Sequence, residues 1–190
     1  GEKIKALAYE LASQRVTNHV EETFMSWDME RGTIEEDYAR ELYCKKHAEA
    51  TETGFVTSDI LGFSLGFSPD GVVGEDGLIE IKCRKQKFQL MTIVQDEIPD
   101  EYRLQMQTGM LVTGRPWCDF ISYSNGMEMF CKREFRNEDL IELITEASTA
   151  FEQTVCELVE TFNKNKVNYY KAERREYSRD TDIIASTGGE

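Results

Sequence analysis

The chain has 190 residues, 40% of them hydrophobic and 31% charged, with a formal net charge of −14. This composition is that of a globular domain long enough to bury a substantial core, and three prolines leave little room for a disordered linker. No run approaches the roughly 18 apolar residues of a membrane span, and the acidic balance argues against a general nucleic-acid-coating protein, which is normally basic.

Ile4, Leu7, Ala8, Leu11 and Ala12 recur at helical spacing and predict a helix from residue 2 to about 23. After a loop near "SWDMERG", a second helix is expected over 33–50, with Thr33 as N-cap and Glu36 completing a capping box. From Gly54 to Cys83 the pattern changes to short extended pieces broken by glycines. Asp76-Gly77 leads into a strand ending at Cys83, in which Ile79 and Ile81 alternate with Glu80 and Lys82. Residues 87–96 and 99–114 read as helices, the second with Asp100 near its start and Gly114 at its end. Two strands, 116–124 and 128–135, are joined at Asn125-Gly126, a hairpin-turn signal. A long helix over about 137–163 is apolar at Leu140, Leu143, Ile144, Ala147, Phe151, Val155 and Leu158, and a polar tail, 176–190, ends the chain. Helices flanking a central mixed sheet make this a single α/β (α+β) domain spanning 1–175.

Cys44, Cys83, Cys118, Cys131 and Cys156 are widely spaced, an odd number without a framework, so reduced thiols in a cytoplasmic setting are expected. His19 and His47 lack clustered cysteine partners, which argues against a zinc site and a His-based triad. No signal-peptide pattern opens the chain. It begins at Gly1, so preceding residues are expected to have been processed away, cut off or left out. The net charge still leaves a nucleic-acid enzyme open. A focused cationic channel reverses the local field within a Debye length of roughly 8 to 10 Å.

Chemistry concentrates in residues 66–87. Strand alternation puts Glu80 and Lys82 on one face, about 7 Å apart. Asp70 lies ten residues before Glu80, in a "SPDG" turn. Two carboxylates there can share a hard divalent cation, the Ile81 backbone carbonyl can add an oxygen, and the Lys82 ammonium can orient or activate a water. The alternative is the exposed face of an edge strand, with a Glu80–Lys82 ion pair worth at most about 1 kcal/mol. The local spacing leaves both open.

Three ordered segments extend this pattern: "RGTIEEDYARELY" (31–43), "FSPDGVVGEDGLIEIKC" (67–83) and "EYRLQMQTGMLVTGRPWCDFISY" (101–123). Their order and spacing resemble the phage lambda exonuclease family, the YqaJ-type viral recombinase nucleases, within the PD-(D/E)xK superfamily. The resemblance implies a restriction-endonuclease-like core, with Asp70, Glu80 and the Ile81 carbonyl as ligands of the first Mg²⁺. Lys82 would contact the attacking water or the scissile phosphate. Glu36 would help hold a second Mg²⁺, with Mn²⁺ as a possible substitute for either ion, although a helix cap or an i,i+4 pair with Arg40 would also explain Glu36. Gln105 would brace the lysine or a water, and Tyr102, one helical turn earlier, would line the same cleft.

Arg84, Lys85 and Lys87 follow the strand directly. A charge run is usually a solvated face, but a phosphate backbone must pass here, so contact with DNA is expected for one or two of them. Nothing before Ala6 matches the family's N-terminal Trp/Arg segment that helps bind a DNA 5′-phosphate. Either that segment lies outside this sequence or the end pocket is built otherwise. The function implied by resemblance is Mg²⁺-dependent hydrolysis of double-stranded DNA ends, 5′ to 3′, leaving 3′ single strands for recombination. It also implies a ring-shaped homotrimer, a single-strand annealing protein as partner, and the host cytoplasm if the protein is phage-encoded. The alternatives are a structure- or site-specific endonuclease of the same superfamily and a catalytically inactive DNA-end-binding module.

Overall fold

The computed structural model describes residues 1–21 and 26–175, with Asp28 by its backbone alone. The expected tail, 176–190, lies outside the described residues, as do residues 22 and 23 of the expected first helix. Two compact units divide the chain, one of residues 19–154 and one of residues 1–18 with 155 onward.

Helix α1, Glu2–Thr17, ends at Asn18, whose φ of 51° is left-handed and stops the helix short of the expected boundary. Its unit buries Ala8 and Ala12 together with Val155.

In the larger unit, α2 spans Trp27–Lys46 and starts a full six residues before the predicted Thr33. Ser26 is the N-cap; its Oγ accepts from Met29 N at 3.3 Å. Gly32 costs the helix only about 1 kcal/mol and does not break it. Thr33 therefore lies inside the helix, donating its hydroxyl to Met29 O at 3.2 Å, and the expected capping box with Glu36 is not formed. Strands β1 (Val56–Ser58) and β2 (Leu65–Phe67) make a small antiparallel pair.

The central sheet has four strands in the order β3-β4-β5-β6: Gly71–Val73, Gly77–Cys83, Trp117–Tyr123 and Phe130–Phe135. β4 and β5 run parallel, and the other pairs are antiparallel, so the sheet is mixed as expected. Between β4 and β5 lie α3 (Gln86–Gln95) and α4 (Asp100–Thr113), close to the predicted spans, and Gly114 ends α4 at a φ of 72°. Asn125-Gly126 does form a turn, closed by Met127 N donating to Ser124 O at 3.0 Å, but it sits in a longer loop and pairing resumes only at Ser122–Phe130. Helix α5 covers Glu138–Asn165, followed by a short 3-10 turn, Lys166–Asn168.

The period-2 alternation of β4 sorts its side chains between two cores. Ile79 and Ile81 pack with Ile121 of β5 and with Ala39 and Tyr43 of α2. Leu78 packs on the other face with Cys118, Phe120 and the α4 residues Met106 and Met110. Gly109 lets α4 approach β2, since a Cβ there would stand 2.6 Å from the Phe67 ring. Because β4 is flanked on both sides and covered on both faces, the edge-strand reading of Glu80 and Lys82 does not hold. Among the described residues no helix is long and apolar enough to cross a membrane.

Candidate active site

Glu80 is fully buried on β4, opposite Phe120 of β5. Lys82 Nζ stands 2.5 Å from Glu80 Oε1 as an ion pair, yet neither Glu80 oxygen accepts a well-directed hydrogen bond. Burial, then the nearby Asp70 carboxylate, pushes the Glu80 carboxyl up to about 7 against the opposing pull of Lys82. Leaving a buried carboxylate oxygen without a hydrogen bond costs on the order of 1–3 kcal/mol or more.

Asp70 approaches from the turn ahead of β3. Its Oδ2 accepts the Ile81 backbone N–H at 2.6 Å, and Arg40 Nε of α2 donates to its main-chain oxygen at 2.9 Å. Burial raises its carboxyl, opposed by the Ile81 hydrogen bond and by Lys82. Burial works to lower the Lys82 ammonium, but Glu80 and Asp70 outweigh it and hold it above the ordinary lysine value. Tyr102 of α4 stacks on Phe120 with ring centroids 5.4 Å apart and lies 5.4 Å from Lys82 Nζ, fixing the ammonium from the α4 side.

Glu36 comes from α2 and pairs with Arg40, Nη2 to Oε1, at 2.6 Å. Burial and the Asp70 carboxylate raise its carboxyl, so these two acids sense each other. The structure thus brings Glu36, Asp70, Glu80, Lys82 and Tyr102 into one electrostatic neighbourhood, with Ile81 engaged through its N–H. Gln105 is exposed on α4, one turn beyond Tyr102, and makes no hydrogen bond among the described residues. The other glutamine of that Q-x-Q, Gln107, is fully buried; it donates to Phe135 O and accepts from Asn137 N, both at 2.9 Å.

Arg84 is held by Thr92 Oγ1 at 2.8 Å and lies over the Phe88 and Tyr102 rings, at 5.3 and 5.5 Å. Lys85 occupies the N-cap position of α3, and Lys87 is exposed on its first turn with Nζ 4.7 Å from the Phe88 ring. Arg84, Lys85 and Lys87 line an open groove together with Arg31, Ser124 and Asn125.

Two residues here carry more than their sequence signal. Arg31, which donates to Cys83 O at 3.4 Å, becomes visible only when α2 is started at Trp27. Gln89 is buried and ties α3 to β5 through Ser122 O at 2.9 Å and to the β5–β6 loop through Glu128 O at 2.7 Å. Nothing in its local pattern distinguishes it from a surface amide. Cys83 is a half-buried strand thiol, pushed up to about 12 by burial, and is no nucleophile.

The donor set suits a hard divalent cation: a buried carboxylate without a well-directed hydrogen bond beside a second carboxylate oriented by a main-chain N–H. Among the described residues no three His, Cys, Asp or Glu side chains stand grouped as a ready metal cage. Mg²⁺ does not require one, being held typically by one or two carboxylates together with substrate phosphates and waters.

A mixed sheet with a carboxylate-and-lysine central strand, helices on both faces and an acid presented from the preceding turn defines the PD-(D/E)xK nuclease class. Residues 4–116 match the YqaJ-like viral recombinase domain. The alkaline exonuclease LHK-Exo from Laribacter hongkongensis is 35% identical, superposes with a TM-score of 0.79, and covers 86% of this chain and 85% of its own. The structure of LHK-Exo in complex with dAMP matches equally well, at 35% identity and a TM-score of 0.79. A phage-related exonuclease from Haemophilus somnus 129PT, 14% identical over 83% of each chain, shares the fold with a TM-score of 0.62. No curated protein matches the sequence. The chain belongs to the YqaJ-like viral recombinase family, the lambda-exonuclease type of nuclease.

Proposed function

We propose that this exonuclease is Mg²⁺-dependent and removes nucleotides from double-stranded DNA ends, 5′ to 3′, leaving 3′ single strands for recombination. One observation carries the reading: Glu80, fully buried beside Asp70, accepts no well-directed hydrogen bond and has Lys82, 2.5 Å from its Oε1, as its one counter-charge among the described residues. An arrangement so costly to folding is retained where charge is to be managed in a reaction. The 35% identity to an exonuclease along most of both chains supports it.

Asp70 and Glu80 would hold the first ion with the Ile81 carbonyl, and Glu36 would serve a second. Bound there, Mg²⁺ supplies charge neutralisation at the phosphate and lowers the pKa of a water. The chain's own groups do the rest. The Ile81 N–H and Arg40 fix the Asp70 turn, so its carboxylate has one orientation. Lys82, whose ammonium faces Glu80 at 2.5 Å, would present that charge to the scissile phosphate and stabilise the charge developing there. Tyr102 limits where that ammonium can go, and Gln105 braces it or a water. Arg84, Lys85 and Lys87 receive the flanking phosphates. A ring-shaped trimer with an annealing protein as partner, working in the cytoplasm, completes the proposal.

The test is a time course on linear duplex DNA labelled separately at the 5′ and 3′ ends, with Mg²⁺, Mn²⁺ or EDTA, beside a covalently closed circle. Early mononucleotide release from the 5′ label only, dependent on Mg²⁺ or Mn²⁺ and leaving the circle intact, is expected. Cutting of the circle, or activity undiminished in EDTA, would sink the proposal.

A further inference from the structure

Beyond the carboxylate site, residues 164–175 combine features that the nuclease chemistry does not use. Lys164, Lys166, Lys171, Arg174 and Arg175 stand against a single acid, Glu173, in a chain whose net charge is −14. All of them are exposed. Two adjacent tyrosines lie among these cations, Tyr169 at 75% and Tyr170 at 104% of full exposure, and neither stacks on another ring among the described residues. With Val16, Thr17, Phe162 and Lys166 they line an open cleft of about 1510 Å³, more room than a drug-sized ligand fills.

Bare aromatic faces interleaved with cations match one ligand chemistry closely. Unpaired bases stack on the rings while the cations take the phosphates between them. In a duplex the base faces are already stacked on each other and would leave both rings idle. An acidic protein would engage the cations but has no need of two adjacent bare rings. We propose that this segment binds single-stranded nucleic acid. Choosing DNA as that strand rests on the exonuclease reading above, whereas the stacking and charge chemistry does not.

The test uses the full chain in EDTA, titrated against fluorescently labelled oligo(dT) and read by anisotropy at several salt concentrations. Expected are a Kd at least about tenfold weaker for Y169A/Y170A, and a log–log salt slope shallower by about 2 for K171Q/R174Q/R175Q. Both variants should melt at the wild-type temperature, because every altered side chain is exposed. Wild-type affinity in Y169A/Y170A would overturn the proposal, as would tyrosine-dependent binding of duplex as tight as that of oligo(dT). So would polyglutamate competing as well as oligo(dT), which would reveal a site for acidic protein. A wild-type protein that does not bind oligo(dT) yet turns over duplex ends sinks this proposal alone. Binding intact in a protein without turnover sinks the exonuclease reading alone.

Discussion

Glu80 and Asp119 sit on paired, neighbouring strands, both carboxylates almost wholly buried, yet on opposite faces of the sheet. Asp119 accepts the Tyr43 hydroxyl at 2.7 Å and a bidentate Arg133 guanidinium at 2.7 and 3.0 Å, with Arg133 itself 3.4 Å above the Trp117 ring. Burial and the bond to Asp119 raise the Tyr43 hydroxyl well above its ordinary value, so Tyr43 stays a donor. Glu80 has no such set of well-directed bonds; its counter-charge among the described residues is Lys82, two residues along the same strand. Burial alone therefore does not mark a functional acid. The distinguishing feature is whether the fold satisfies it: the α2 face uses its carboxylate as a structural knot, while the α4 face leaves the Glu80 carboxylate without a well-directed hydrogen bond, the site at which we propose a cation.

Substitutions at the two acids should consequently have opposite signatures. Glu80→Gln should cut turnover at least about a thousandfold, the loss of several kcal/mol of charge stabilisation, as read by initial rates on duplex ends. Asp119→Asn should leave turnover per folded molecule near wild type while lowering unfolding free energy by about 2–3 kcal/mol in urea titrations. That lies below the figure for a fully buried pair, because Arg133 is partly exposed. Lys82→Ala should lose about 10²- to 10⁴-fold in turnover, and adding it to Glu80→Gln should cost little more, since the pair acts as a unit.

Smaller effects sharpen the contrast on the α4 face. Tyr102→Leu should lower turnover about tenfold by removing both the stack on Phe120 and the ring beside Lys82, with Tyr102→Phe nearly silent. Arg84→Ala should make the salt dependence of duplex binding in EDTA shallower by about 1 and weaken binding a few-fold. Gln105→Ala, exposed and without hydrogen bonds, should shift turnover by no more than about tenfold and leave the melting temperature unmoved.

Much of this arrangement is legible in the sequence. Alternation along Gly77–Cys83 put Glu80 and Lys82 on one face and the isoleucines on the other, and the two cores follow that division. Gly32 looks like a break and Thr33 like a cap, which places the expected start of α2 too late. Ser26 supplies the actual cap, and packing of Ala39 and Tyr43 on the sheet carries the helix through the glycine. The state of the acids was not legible. Sequence spacing cannot say that Glu80 goes unsatisfied while Asp119 is bonded three times, since the partners Tyr43 and Arg133 lie 76 and 14 residues away. Nor could it separate Gln107 and Gln89, buried clamps of the fold, from Gln105 on the surface.

The central claim, that Glu80 is held for chemistry at the expense of the fold, is tested most directly by measuring turnover and thermal unfolding on the same preparation of Glu80→Gln. The account predicts turnover on Mg²⁺-supplemented duplex ends lost at least about a thousandfold, with a melting temperature equal to or above that of the wild type. Retained turnover, or a melting temperature that falls as predicted for Asp119→Asn, would contradict it.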